Sequence, residues 1–206
     1  MRFPESVIAG LVLAVLALGI ALLPLLTPAF TRALSARYSE YPNAASFAEA
    51  SRQLVVSEDP AARERLLTVM QPDEVSHLDD VAGVISGARS TTLALALAAA
   101  AWIALCVRAG RAKAVARGLT VGGLLTLGLL ALAGVAGTTD FDALFVRFHG
   151  LFFANGTWTF PVDSALISLF PEPFWMVSGV AWVLLTAGVG VFYLVSGRVV
   201  ARRASD

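Results

Sequence analysis

The chain of 206 residues contains one cysteine, two histidines and one lysine. A lone Cys106 excludes any disulfide within the chain, and because it lies inside an apolar run it gives no indication of redox compartment. Charged residues make up only 15% of the chain, against 57% hydrophobic, too little charge to clothe a soluble globule of this size. The formal net charge is zero, so the total points to no partner. Basic residues occur in short patches rather than a continuous footprint, which argues against nucleic acid as a ligand. There is no G-x-S-x-G elbow, no phosphate-binding or dinucleotide glycine motif and no H-E-x-x-H. A covalent acyl-enzyme through Ser or Cys is therefore poorly supported. Two histidines with nearby carboxylates make a metal site conceivable, but their spacing matches no compact zinc motif. No cofactor is implied.

What the chain does have is long uncharged runs. About twenty apolar residues span the hydrocarbon core of a bilayer. Val7 to Leu26 is the first such run and ends at Pro24 and Pro28. A cleavable signal peptide is its alternative reading, but the run is longer than an ordinary signal core. Ser90–Val107, Gly118–Thr139 and Pro173–Gly197 are the others. The expected fold is an all-α integral membrane protein of four transmembrane helices with a small helical extracytoplasmic domain. Its divisions are a first span in residues 1–28, a polar segment 29–89, a second span 90–107, a basic loop 108–117, a third span 118–139, an interfacial segment 140–172, a fourth span 173–197 and a tail 198–206. Arg108, Arg111, Lys113 and Arg117, with Arg2 and Arg198, Arg202 and Arg203, place the loop and both termini in the cytoplasm by the positive-inside rule. Segments 29–89 and 138–172 then face outward, and they carry thirteen of the fifteen acids.

Within the polar segment, Ala44–Val55 and Ala61–Met70 read as short helices, and Pro42-Asn43 and Asp59-Pro60 as turns. Pro72-Asp73-Glu74 opens a further helix. Asp73, His77, Asp80, Val81 and Val84 share one face of it, while Asp79 points elsewhere. Asp140–Phe153 reads as a helix capped by Thr139 or Asp140. Its Phe141, Leu144, Phe145, Phe148 and Phe152 form a single apolar stripe, with His149 at the edge. Such a helix either lies aromatic face down in a membrane interface or buries the stripe in its own domain. Asn155-Gly156 is a turn signal. Trp158, Phe160 and Trp175 suit an interfacial aromatic belt.

Both histidines fall in the outward segments, and histidine carries protons near neutral pH. One imidazole could take a proton from a nucleophile while the other donates to a leaving group or an oxyanion. Asp80, one turn after His77, could orient that ring, and Arg147 could meet a phosphate or carboxylate. Each has a structural alternative. A histidine at a membrane edge is commonly a hydrogen-bonding residue. Asp79 and Asp80 read as a solvated face, Asp163 as a turn acceptor and Glu172 as a cap for the fourth span.

His77-Leu78-Asp79-Asp80-Val81 and the later block of Phe148-His149, Phe152-Phe153, Trp158, Asp163, Leu166-Ile167 and Phe170-Pro171-Glu172 resemble the signature of the lipoprotein intramolecular transacylase (Lit) family. The resemblance covers nearly the whole layout of the chain, but only these two blocks are specific. It implies an acyltransferase of the bacterial plasma membrane, its site on the extracytoplasmic face. The implied substrate is the diacylated N-terminus of a bacterial lipoprotein. The enzyme moves the sn-2 acyl chain of a diacylglyceryl-cysteine onto the cysteine's α-amino group, leaving the lyso-form. The family's two histidines fall on His77 and His149, with Asp80, Asn155, Trp158, Asp163 and Glu172 as supporting residues, beside Arg147, which its chemistry alone suggests. Membrane lipid is the surrounding partner, and the oligomeric state stays open. The competing readings are a non-catalytic membrane sensor or assembly protein, and a phospholipid acyltransferase or esterase.

Overall fold

A computed structural model describes residues 3–139, 141–153 and 156–205. All regular structure among the described residues is helical. In chain order the helices are α1 (Phe3–Leu22), a 3-10 turn (Leu23–Leu26), α2 (Pro28–Tyr38), α3 (Ala44–Ser57), α4 (Pro60–Leu66), α5 (Pro72–Arg108), α6 (Ala112–Thr139), α7 (Phe141–Phe152), α8 (Ala165–Leu169) and α9 (Glu172–Arg203). By length and composition, four of them can cross a membrane: Glu5–Leu26, Pro72–Arg108, Ala112–Leu132 and Glu172–Arg203. The chain divides into two compact units, Met1–Leu22 with Arg89–Thr139 and Trp182–Asp206, and Leu23–Ala88 with Asp140–Ala181.

The first unit is a bundle of apolar helices held by close backbone approach. Gly122 lies against Leu13, and a Cβ there would come within 2.8 Å of the leucine Cβ. At Gly123 a Cβ would sit 2.7 Å from the Gly190 carbonyl oxygen, a backbone atom that cannot turn away. Small residues at helix contacts are the usual way to pack in lipid, where apolar burial alone gives no drive to associate. Several polar groups are satisfied locally, while the buried Tyr193 hydroxyl has no hydrogen-bond partner among the described residues. Thr126 donates to the Gly122 carbonyl at 2.8 Å, Thr186 to that of Trp182 at 2.8 Å, and the Trp182 indole to the Leu18 carbonyl at 3.0 Å. Glu5 and Arg111 form an ion pair at 2.6 Å.

The second unit is built from short, well-capped helices. The Thr27 side chain accepts from Phe30 N and Pro28 occupies the first turn, so α2 begins where the proline-rich end of the first apolar run forces a stop. Asp59 accepts from Ala61 N at 2.9 Å in the same way ahead of Pro60. The core gathers Leu54, Leu66, Val75, Leu166, Leu169 and Phe174, so α8 and the start of α9 pack on the earlier helices.

Several expectations need adjustment. Neither α2 nor α8 was expected, α3 runs on to Ser57, and α4 stops at Leu66 in a turn rather than continuing to Met70. The helix opening at Pro72 and the apolar run from Ser90 are one continuous helix of 37 residues. Gly83 and Gly87 lie between them, but a single glycine costs a helix only about 1 kcal/mol and no proline intervenes. The helix expected over 140–153 is α7. Thr139 closes α6, and the proposed cap Asp140 lies outside the described residues.

Candidate active site

His77 is carried on the second turn of α5. That turn is fixed from its start by Glu74, only 2% exposed. One carboxylate oxygen of Glu74 accepts from Gln71 N just before the helix, at 2.7 Å, a capping-box contact. The other accepts from Leu166 N of α8, also at 2.7 Å. The positive end of the α5 dipole favours this buried anion. One turn on, His77 is 7% exposed, and its Nδ1 is buried with no hydrogen-bond partner among the described residues.

His149 is on α7, with its Nδ1 2.8 Å from the Phe145 carbonyl oxygen one turn earlier. A carbonyl can only accept, so Nδ1 carries the hydrogen and Nε2 of the neutral ring keeps its lone pair. Burial pushes the His149 pKa below the ordinary histidine value, and outweighs the Phe145 carbonyl, which pulls it the other way. The ring is thus held as a neutral proton acceptor at pH 7.

The two imidazoles meet. Their centroids are 6.3 Å apart and their planes 29° from parallel. Aromatic rings enclose them. Phe153 lies 4.8 Å from His77 and 5.7 Å from His149, and so borders both. Phe160 is 5.6 Å from His77, while Phe145 and Trp158 are 4.0 Å and 4.8 Å from His149. The buried Trp158 Nε1 also lacks a hydrogen-bond partner among the described residues. Buried polar atoms are nearly always bonded, so two such nitrogens in one aromatic enclosure leave hydrogen-bonding capacity for a ligand. Beside them opens a cleft of about 510 Å³ whose lining includes Asp79, Asp80 and Phe153. No three His, Cys, Asp or Glu side chains gather as a metal-ligand set among the described residues.

The remaining sequence-predicted residues divide. Trp158 packs on His149. Asp80 lines the cleft, and no hydrogen bond joins it to His77 among the described residues. Burial, with His149 beside it, pushes the His77 pKa down, and the Asp80 charge opposes this by favouring the cation. Asp79 does not point elsewhere: it lines the same cleft and pairs with Arg63 at 3.0 Å. Arg147, Asp163 and Glu172 are exposed and make none of the described bonds around the histidines. Ser164, not Asp163, caps α8 by accepting from Ile167 N. Asn155 lies outside the described residues. Sequence reasoning did not single out Glu74 as an anchor. Its signal was present, an acid in the third helical position after Gln71-Pro72. Phe153 stood in the quoted block without a role, and nothing in the sequence separated Phe160 from a membrane belt.

The family model for lipoprotein intramolecular transacylase Lit matches residues 36–175, about two thirds of the chain and both histidines. The chain belongs to the Lit family. It is by that membership an acyltransferase. The fold is similar to that of the membrane integral Lit from Bacillus cereus, with a TM-score of 0.80 over 97% of this chain and 95% of that one, at 18% identity. Two variants of the Bacillus cereus protein, with one histidine replaced by arginine or by alanine, give TM-scores of 0.70 and 0.60 at 15% and 16% identity. They cover 92% and 93% of those chains and 97% of this one. No curated protein sequence matches the chain significantly. The Lit fold and the four long apolar helices make this a multi-pass membrane protein.

Proposed function

We propose that the protein transfers the sn-2 acyl chain of a bacterial lipoprotein's diacylglyceryl-cysteine to the α-amino group of the same cysteine, giving the lyso-form. The observation that carries this reading is the pair of facing imidazoles, one of them fixed with a free Nε2 lone pair. Ester and amine belong to one molecule, so holding them in register supplies much of the rate. An α-amino group has a pKa of about 8, so a modest base suffices. His149 Nε2 accepts a proton as the amine nitrogen attacks the ester carbonyl carbon. The carbonyl oxygen becomes an oxyanion, toward which His77 directs an N–H. Collapse forms the amide and breaks the bond to the glyceryl oxygen. That oxygen takes up a proton in place of the one lost by the amine, so the net change is one hydrogen moved from nitrogen to oxygen.

The setting is the outer face of the plasma membrane, with both termini cytoplasmic. The basic loop around Arg108–Arg117 and the terminal arginines support it through the positive-inside rule. So does α5, whose 37 residues extend about 55 Å against a hydrocarbon core of about 30 Å. Its polar first half, with His77, therefore projects beyond the lipid. On α7 the side chains of Leu144, Phe148 and Phe152 are all exposed, which favours the interfacial reading of the stripe over a buried one. The test is replacement of each histidine by alanine in cells that have no other N-acylation route, with lipoproteins read by mass spectrometry. Loss of the lyso-form by about 10²-fold or more is expected from either change. Undiminished lyso-form with both histidines replaced would refute the mechanism.

A further inference from the structure

We propose that the cleft beside the histidine pair binds the acceptor's cationic N-terminus, with Asp80 as its counter-ion. The inference rests on the acyl-transfer reading and specifies how one end of the substrate is recognised.

The cleft has a volume of about 510 Å³, a size that takes a small ligand or the first residues of a peptide. Its walls include Asp79, Asp80, Gly83, Phe152, Phe153 and Thr157, and no cationic side chain lines it among the described residues. Its two carboxylates are not equivalent. Asp79 is engaged by Arg63 at 3.0 Å. Asp80 is exposed and has neither a hydrogen bond nor an ion pair among the described residues. One uncompensated negative charge therefore faces the cavity. A single free carboxylate, with no third ligand among the described residues, suits a monovalent organic cation better than a divalent metal.

The cavity also shares a wall with the histidine pair. Phe153 forms part of its wall and borders both imidazoles, and behind it lies His77, 93% buried with an unpartnered Nδ1. Asp80 follows His77 by three residues on α5, so the two Cβ atoms are about 5–6 Å apart on one helix face. The one charge that every acceptor must carry at its reactive end is the α-ammonium, mostly protonated at pH 7. The cleft thus captures the amine in its resting charged form one helical turn from His77, the ring that faces the base His149. A counter-ion favours the ammonium over the free amine, so its effect falls on substrate binding rather than on turnover.

The test uses the purified full chain in detergent and two unreactive probes, diacylglyceryl-cysteine lipopeptides with an sn-2 ether in place of the ester. One has a free α-amine and the other an N-acetyl cap. At pH 6.5 the protein is expected to bind the free amine about tenfold more tightly. Asp80→Asn abolishes this preference, and Asp80→Glu, which keeps the charge, retains it. Asp79→Asn has the smaller effect because Arg63 already holds that carboxylate. Equal binding of the two probes by the unmodified chain, or an undiminished preference in Asp80→Asn, overturns the assignment while leaving acyl transfer intact. Failure to bind either probe overturns both.

Discussion

The two imidazoles are asymmetric in a way that has kinetic consequences. His149 has one nitrogen committed to the Phe145 carbonyl, while the Nδ1 of His77 is buried and uncommitted. Burial holds the His149 pKa below the ordinary histidine value of about 6.5. A lowered pKa means the neutral, proton-accepting ring persists to a lower pH than for a free imidazole. The α-amine of the proposed substrate, with a pKa of about 8, then loses its proton well above His149. Between those two values only one protonation opposes the reaction. The logarithm of kcat/KM should rise with a slope of one from about pH 6.5 to 7.5 and level off above the amine pKa. A slope of two should appear only below about pH 6.5, where His149 also protonates. A slope of two persisting to pH 7 would mean that His149 is charged at neutrality and cannot serve as the base.

At the scale of the helices, what makes the pair meet is less visible than the pair itself. The periodic faces of α5 and α7 were legible, because i and i+3 spacing follows directly from the sequence around His77 and His149. Their mutual position was not, because it rests on ring contacts between residues far apart in the chain, His77 against His149 and Phe153. The seat of α8 on α5 likewise rests on the Glu74 carboxylate and Leu166 N, 92 residues apart. No local pattern announces a partner at that separation. The same holds for α8, whose five residues lie below the length at which apolar periodicity can be recognised. Glu74 thus serves two helices, closing the first turn of α5 and holding α8 against it. Glu74→Gln keeps the shape but turns one acceptor into an amide donor, facing a backbone N–H that loses its bond. A buried group left unsatisfied costs about 1–3 kcal/mol. The variant should unfold at a lower temperature in a detergent thermal-denaturation assay. Activity at a temperature where it remains folded should also fall, because His77 is one turn away. A Glu74→Gln protein with unchanged melting temperature would show that the α5–α8 contact is not an anchor.

For the whole molecule, four apolar runs were legible because a bilayer demands long uncharged stretches and little else produces them. The unbroken length of α5 was not, since the change from polar to apolar at Ser90 marks a change of surroundings rather than of backbone. The same helix carries His77 at one end and meets the basic loop at the other, so its direction across the membrane fixes the side on which the reaction occurs. Seven basic residues, four in the loop from Arg108 to Arg117 and three in the terminal stretch from Arg198 to Arg203, argue for a cytoplasmic position of that end. On the proposed topology the acid-rich, histidine-bearing end faces outward, where the proposed lipoprotein substrate would present its N-terminus. Single cysteines test this directly. Cys106 is buried and can first be replaced by serine. Glu64→Cys, at an exposed position of α4, should react with a membrane-impermeant thiol reagent in intact spheroplasts. Arg203→Cys, at the exposed end of α9, should react only after the membrane is permeabilised. The opposite pattern would put the histidines on the cytoplasmic side, away from the proposed substrate, and the acyl-transfer reading would fail with the topology.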